Sequence, residues 1–575
     1  MDDFKRRDFM RMITAAGVAT IIPQTAHTAE TGSKIAKSSS GGKRGKRPNI
    51  VCFIADDTDF TMLSCFGGPV PTPHIDSIAS KGIVFSNAQV ASPICTPSRY
   101  SFLTGQFAGR CTDTVFLHEC PYNEPCMVEH NVYLNETVPT LGSTLKKAGY
   151  RTGFVGKWHT GHGIPMLPLP KINLDADPSD LGVKRKLEET QTYFDERVKK
   201  DAGFDYAGAI VWGNCDFYPL RPQRTHHLEW SAHTALNFLD TCKNDQPFFL
   251  WFASTIIHGP GIHDALAKDP KLTPVGHETA HLKVMPSRQS VADRVKAAGF
   301  ELTHESVGSI WLDDQVGAIL EKIKKMGQEE NTIFVFASDN NVEPAKGTCH
   351  RAGTNIPFIV KYPALIKEPK TCGVAIQNTD LLPTLLECAG AAPMAVDSID
   401  GKSFYPMLKN SSAPKLHDDL YFEMGYTRAI EADGWKYIAF RLPPRLQEQV
   451  KRGELKMAPN YNNRPKHEQS ILASIIFEDY FDADQLYDLG SDPGETKNLA
   501  RSPECQAKLA EMKTRLKKRL ETFRHPFDLE DTVFMNSPEF AKAAEATRAF
   551  AKENVPEWWP KKMYKRSAEG VIKGG

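Results

Sequence analysis

Two adjacent carboxylates, Asp56-Asp57, close the first long apolar run of the chain, Ile50-Val51-Cys52-Phe53-Ile54-Ala55. Side by side, such groups repel each other unless a cation joins them. A later run, Thr332–Ala337, ends in Ser338-Asp339-Asn340-Asn341, with Lys346-Gly347 close behind. Asp56, Asp57, Asp339 and Asn340 offer only oxygen ligands, which suit a hard cation, Ca²⁺ or Mg²⁺, rather than zinc. Two more runs deliver different chemistry. Thr152–Val155 leads into Gly156-Lys157-Trp158-His159, and Pro247–Phe252 leads to Ile257-His258-Gly259-Pro260. One such cluster is an ordinary solvated turn; four at equivalent positions point to a site.

The elements that must position these groups are legible in the same runs. Each is continuously apolar with no alternation, the mark of a strand buried on both faces. Helical patterns fall between them at Leu141–Ala148, Ser231–Leu239 and Ser309–Lys325. The alternation predicts an α/β domain with a large, mainly parallel sheet sandwiched by helices. In such sheets ligands sit beyond the carboxyl ends of the strands, where all four clusters lie. Farther on, Leu420–Glu423, Arg428–Glu431 and Trp435–Phe440 predict a small antiparallel sheet, packed by a helix over Cys505–Thr522.

Composition narrows the class. The chain has 575 residues, with 70 Lys+Arg, 70 Asp+Glu and 41% hydrophobic residues, which excludes collagen-like, coiled-coil and wholly disordered proteins. No apolar run reaches the length of a membrane span. Residues 1–47 hold ten Lys/Arg against four Asp/Glu, leaving 60 against 66 in the remainder. That mildly acidic body gives no support for nucleic-acid binding. Lys5-Arg6-Arg7-Asp8-Phe9-Met10, followed by a weakly apolar stretch to Ile22, resembles a twin-arginine export signal, so residues 1–30 are read as a leader cut near Ala26 or Ala29. Residues 31–47 read as a disordered spacer. Export predicts a periplasmic or secreted protein, and Cys111, Cys120 and Cys126 lie close enough for one pair to bridge there.

Between the first two strands lies Cys95-Thr96-Pro97-Ser98-Arg99, then Tyr100-Ser101-Phe102-Leu103-Thr104-Gly105. C-x-P-S-R followed by Leu-Thr-Gly resembles the signature of the type I sulfatases, in the alkaline-phosphatase-like superfamily. The resemblance extends through Pro48–Asp57, Pro73–Asn87, Lys157 and His159, His258 with Pro260, Asp339-Asn340 and Lys346-Gly347. It continues in Leu486-Tyr487-Asp488-Leu489, Asp492-Pro493-Gly494-Glu495 and Asn498-Leu499. Thr255 and Ile257 replace the His and Pro that open the family's H-x-P-H-x-P segment, Asn341 stands where Gly is usual, and Arg351 where Glu is usual. These departures bear on substrate contacts alone.

The resemblance implies that a formylglycine-generating enzyme, reading Cys, Pro and Arg in the unfolded chain, converts Cys95 to Cα-formylglycine. The metal ligands would be Asp56, Asp57, Asp339, Asn340 and position 95. A hydroxyl of the hydrated aldehyde would attack sulfur, giving a covalent sulfated intermediate. Arg99 and Lys157 would hold the nucleophile, and His258 with Lys346 would bind sulfate and protonate the leaving alcohol. His159 would then take a proton and release sulfate. The implied domains are residues 48–400, catalytic; 401–525, the antiparallel-sheet subdomain; and 526–575, an extension holding Trp558-Trp559.

The substrate is expected to be a sulfated small molecule or glycan, carbohydrate being favoured. Thr160–Asp205 and Gly261–Thr303 are expected to rim the pocket as loops. Arg221, Arg224, His226, His227, His263, His277, His281, His350 and Arg351 are the candidate substrate contacts, with Trp212 and Tyr218 as stacking surfaces. The competing functions are a phosphonate or phosphate ester hydrolase of the same superfamily and a non-catalytic binding protein on the same fold. Nothing in the chain specifies an oligomeric state.

Overall fold

In the computed structural model the described residues are 47–342, 345–391, 399–409, 415–454 and 473–553. The expected leader, the expected spacer up to residue 46 and Trp558-Trp559 lie outside them. The large sheet comprises β1 (Asn49–Ala55), β2 (Ile83–Phe85), β3 (Arg151–Lys157), β4 (Tyr206–Val211), β5 (Phe248–Ala253), β6 (Thr332–Ser338), β7 (Phe358–Lys361) and β8 (Lys370–Cys372). Their order is β8-β2-β7-β6-β1-β5-β3-β4, and β7 alone runs antiparallel to its neighbours. The four expected strands are β1, β3, β5 and β6, and they are contiguous as β6-β1-β5-β3.

Helices cover both faces, which is why β1 needs no alternation. Ile50, Cys52 and Ile54 enter one core with Tyr100, Phe102 and Leu103 of α1 (Cys95–Thr104), Leu141 and Leu145 of α2 (Leu141–Lys147), and Phe194 and Val198 of α3 (Leu181–Ala202). Val51, Phe53 and Ala55 enter the other with Phe238 of α4 (Leu228–Asp240) and Trp311 of α5 (His304–Lys325). The segments expected as loops hold helices instead. α3 occupies 22 residues of Thr160–Asp205, and Arg288–Ala297 is helical within Gly261–Thr303. In α3, Leu187, Phe194 and Val198 recur at helical spacing and bury one stripe, while its many charges remain outside.

The C-terminal sheet is antiparallel, in the order β9 (Leu420–Met424), β10 (Thr427–Ala432), β11 (Trp435–Phe440) and β12 (Asp484–Asp488). Asp433-Gly434, both at positive φ, make the tight turn between β10 and β11. Tyr421, Ile430, Tyr437 and Leu486 pack beneath α6 (Gln506–Leu520). Alternate residues Phe422, Ala429, Ile438 and Tyr487 face Ile94 and Cys349, so this sheet backs the segments that carry Cys95 and Lys346. The described part of the extension ends in α7 (Pro538–Glu553), whose Phe540 packs 6.0 Å from the ring of Phe440. Among the described residues no helix is long and apolar enough to cross a membrane. All twelve cysteines are free thiols, Cys111, Cys120 and Cys126 among them.

Candidate active site

The carboxyl ends of β6, β1, β5 and β3 meet above Cys95, the first residue of α1. Main-chain bonds carry the strand register past the sheet edge: Asp56 N donates to Ile256 O (2.9 Å) and Asp339 N to Ala55 O (3.0 Å). Asp57 (φ 51°) and His159 (φ 56°) both lie in the left-handed region, which side-chain-bearing residues seldom adopt. Such conformations concentrate at functional sites because the surrounding structure must hold them in place.

One ligand atom from each of Asp56, Asp57, Cys95 and Asp339 falls within 4.8 Å of the others. Three buried cations close around them. Lys157 Nζ contacts Asp56 Oδ2 (2.6 Å) and lies 3.8 Å from Cys95 Sγ. Arg99, 1% exposed, donates to Asp339 Oδ2 through Nε (2.9 Å), forms an ion pair with it through Nη2 (2.7 Å) and donates to Lys157 O through Nη1. Lys346 Nζ meets both oxygens of Asp57, at 2.7 and 2.6 Å. Asn340 Nδ2 donates to Asp339 Oδ1 (2.8 Å) and reaches Cys95 Sγ (3.5 Å). His258 Nδ1 lies 2.8 Å from Gly259 O, and its Nε2 is 3.9 Å from Asp57 Oδ2.

The electrostatics follow from this packing. Burial opposes ionisation of Asp56, yet Lys157, His258, Arg99 and Lys346 outweigh it and hold the carboxyl well below its usual range. Burial lifts Asp339 to about 7 against the pull of Arg99, and lifts the Cys95 thiol to about 12. His159 is held well below its ordinary value by burial, with Lys157 and His130 adding to the effect. The donor set fits a hard cation: three carboxylates converge, and Asn340 Oδ1 is buried with no hydrogen-bond partner. An orphaned amide oxygen beside carboxylates is what a cation would satisfy.

Residues expected to touch substrate are distributed otherwise. His226, fully buried, and His227 face the interior, where His226 bonds Thr255 Oγ1 and Pro260 O, and His227 bonds Gln223 O. His350 stacks on Phe477, ring centroids 3.8 Å apart, and is 2% exposed. All three side chains are buried. Trp212 and Tyr218 are likewise buried, Trp212 stacking on Phe194. Arg221 pairs on the surface with Asp175, and Arg351 donates to Asn87 Oδ1. His263 contacts Asp264, and His277 contacts Asp269.

The structure also adds residues that sequence reasoning passed over. His130 stacks on His159 at 5.1 Å and bonds Thr96 Oγ1. Ser98 Oγ donates to Asp339 O, and Asn378 Nδ2 donates in turn to Ser98. Ser98 lies within C-x-P-S-R and was findable there; His130 and Asn378 carry no local signal. A cavity of about 490 Å³ beside Thr332, Phe334 and Lys361 opens at the opposite sheet edge and includes none of these groups.

Carboxylates, buried cations and a thiol at the carboxyl edge of a mainly parallel sheet are the arrangement of an ester hydrolase of the alkaline-phosphatase-like class. The chain belongs to the sulfatase family: the model described as Sulfatase matches residues 48–391, and that described as N-sulphoglucosamine sulphohydrolase, C-terminal, matches residues 346–440. Membership makes it a hydrolase of sulfate esters. It is 25% identical to an N-acetylgalactosamine-6-O-sulfatase of Bacteroides thetaiotaomicron, covering 85% of this chain and 97% of the relative. It is 24% identical to an ulvan-active sulfatase of Formosa agariphila, covering 86% and 78%. A solved structure described as complexed with its substrate D-glucosamine-2-N,6-O-disulfate shares the fold, with a TM-score of 0.56, 19% identity, and coverage of 84% of this chain and 100% of that one.

Proposed function

We propose that the protein removes sulfate from a carbohydrate, with position 95 matured to Cα-formylglycine by a formylglycine-generating enzyme and a Ca²⁺ or Mg²⁺ ion held by Asp56, Asp57, Asp339, Asn340 and position 95. The observation that carries this reading is the convergence of the three carboxylates on Cys95 among Arg99, Lys157 and Lys346. The relatives named for N-acetylgalactosamine 6-O-sulfate and ulvan support the carbohydrate.

When bound, the cation polarises sulfate oxygens and lowers the pKa of a nucleophilic hydroxyl. The hydrated aldehyde supplies that hydroxyl. Arg99 and Lys157 orient it, being fixed and desolvated, so their charge costs no reorganisation during reaction. Lys346 binds the sulfate, and His258 delivers a proton to the departing alcohol. His159, neutral and with Nδ1 buried and unpartnered, receives a proton when sulfate leaves. Residues 48–400 act as the catalytic domain and 401–525 as its supporting subdomain, and the leader sends the protein to the periplasm or beyond, where sulfated polymers are met.

Mass spectrometry of the tryptic peptide holding position 95 tests the maturation: loss of H₂S with gain of O lowers the mass by about 18 Da, unlike the additions of thiol oxidation. Cys95→Ala should abolish turnover while the circular dichroism spectrum is retained, and activity within about tenfold of wild type would sink the mechanism. For the substrate, kcat/KM on sulfated oligosaccharides should exceed that on an aryl or choline sulfate. Turnover of the simple esters alone would refute the carbohydrate assignment and leave sulfate hydrolysis standing.

A further inference from the structure

His258 lies in Ser254–Pro260, a segment tied down at nearly every residue. Ser254 N donates to Ile54 O (2.8 Å), and its hydroxyl to Gln315 Oε1 (2.7 Å). Ile256 O accepts from Asp56 N, and Ile257 O is met by His304 Nε2 at 2.8 Å. Two further ties, one on each side of His258, come from one side chain. His226 Nδ1 is 3.0 Å from Thr255 Oγ1, and His226 Nε2 is 3.0 Å from Pro260 O. A carbonyl only accepts, so Nε2 carries the proton and Nδ1 receives the Thr255 hydroxyl. A single neutral tautomer satisfies both bonds. Burial, which pushes His226 down to about 3, keeps it in that neutral form at physiological pH.

We propose that His226 is a positioning residue for His258, bracketing it by holding Thr255 and Pro260 and so fixing where its imidazole stands beside Asp57. Fully buried, His226 touches no substrate. His258 spends Nδ1 on Gly259 O, so the backbone at 259–260 sets the direction of its ring, and Pro260 is where His226 acts. Thr255, the position at which the family resemblance would place a histidine, instead donates to one that arrives from the segment before α4. The other ties remain when His226 is removed, so the expected consequence is a misplaced His258 in a folded protein.

The inference rests on the reading of His258 as proton donor to the leaving alcohol. Its signature is therefore dependence on the leaving group, which loss of packing alone would not produce. The test measures kcat and KM on phenyl sulfates running from 4-nitrophenyl to 4-methoxyphenyl, together with N-acetylgalactosamine 6-sulfate. His226→Ala should lose about 100-fold in kcat on the sugar sulfate, the lower end of what general acid catalysis contributes. On 4-nitrophenyl sulfate, whose phenolate leaves without protonation, the loss should be a few-fold, with KM little changed on either ester. His226→Gln, which keeps an N–H for Pro260 O, should recover part of the loss. His258→Asn supplies the reference slope. Should His226→Ala fail to fold, Thr255→Val removes one bond at constant shape and must show the same leaving-group dependence. Equal losses across the series in folded variants would overturn the positioning role. A flat series for His258→Asn would overturn the acid role beneath it, and a wild type inert on every ester would overturn the proposed function itself.

Discussion

Asn340 is divided: its amide nitrogen serves Asp339 and Cys95, while its oxygen is buried with no donor. That arrangement costs free energy unless a cation pays it back. Chelation should therefore destabilise the protein as well as inactivate it. A ligand bound only to the folded state at 100 times its Kd contributes about 2.7 kcal/mol, and removing it should lower the melting temperature accordingly. Asp339→Ala should reproduce the chelated melting temperature and respond no further to chelator. If activity and melting temperature both survive exhaustive dialysis against EDTA, the all-oxygen site is wrong. His226 shows the opposite limit of what one residue reveals. Arg221, Arg224, His226 and His227 read alike in sequence, as basic residues ahead of the Pro247–Phe252 strand. Only the fold separates an exposed arginine paired to Asp175 from an imidazole with both nitrogens spent in the interior.

Among the elements, the small sheet does more than cap the chain. Glu495, in the late Asp492-Pro493-Gly494-Glu495 segment, accepts Arg351 N and so grips the chain five residues beyond Lys346. Its other oxygen lies 3.6 Å from Lys436 Nζ, which is fully buried over the ring of Phe422. Removing one member of a buried ion pair strands the other, at about 3 kcal/mol. Glu495→Gln should show that loss in urea denaturation, and Lys436→Met in the same background should regain part of it. A loss below about 0.5 kcal/mol for Glu495→Gln would mean that Glu431, 3.8 Å away, carries the charge alone. The strands β1, β3, β5 and β6 were legible because burial on both faces leaves unbroken apolar runs. β4 was not, since Tyr206-Ala207-Gly208-Ala209-Ile210-Val211 mixes small residues into its run, and α3 was hidden by its charged face. The grouping of Asp56, Asp57, Cys95 and Asp339 was readable from strand ends. The contacts of His130 with Thr96 and of His226 with Thr255 and Pro260 were not, because they join residues distant in sequence.

For the molecule as a whole, zero net charge divides into a basic stretch over residues 1–47 and a mildly acidic remainder, so no long-range field favours a polyanion. Attraction for sulfate has to be local. Taken as ionised, Asp56, Asp57 and Asp339 face Arg99, Lys157 and Lys346, three against three, and the buried centre is electrically neutral on its own. A divalent ion held there would leave it with two positive charges in a medium that screens poorly. The incoming ester carries one negative charge and the released inorganic sulfate carries two. The centre is thus better matched to its product than to its substrate. We expect sulfate to be a competitive inhibitor, with phosphate close behind, and progress curves to bend well before substrate is exhausted. The inhibition constant should shift little with added sodium chloride, because the charges are buried. A sulfate inhibition that vanishes at moderate salt would place the binding on the surface instead.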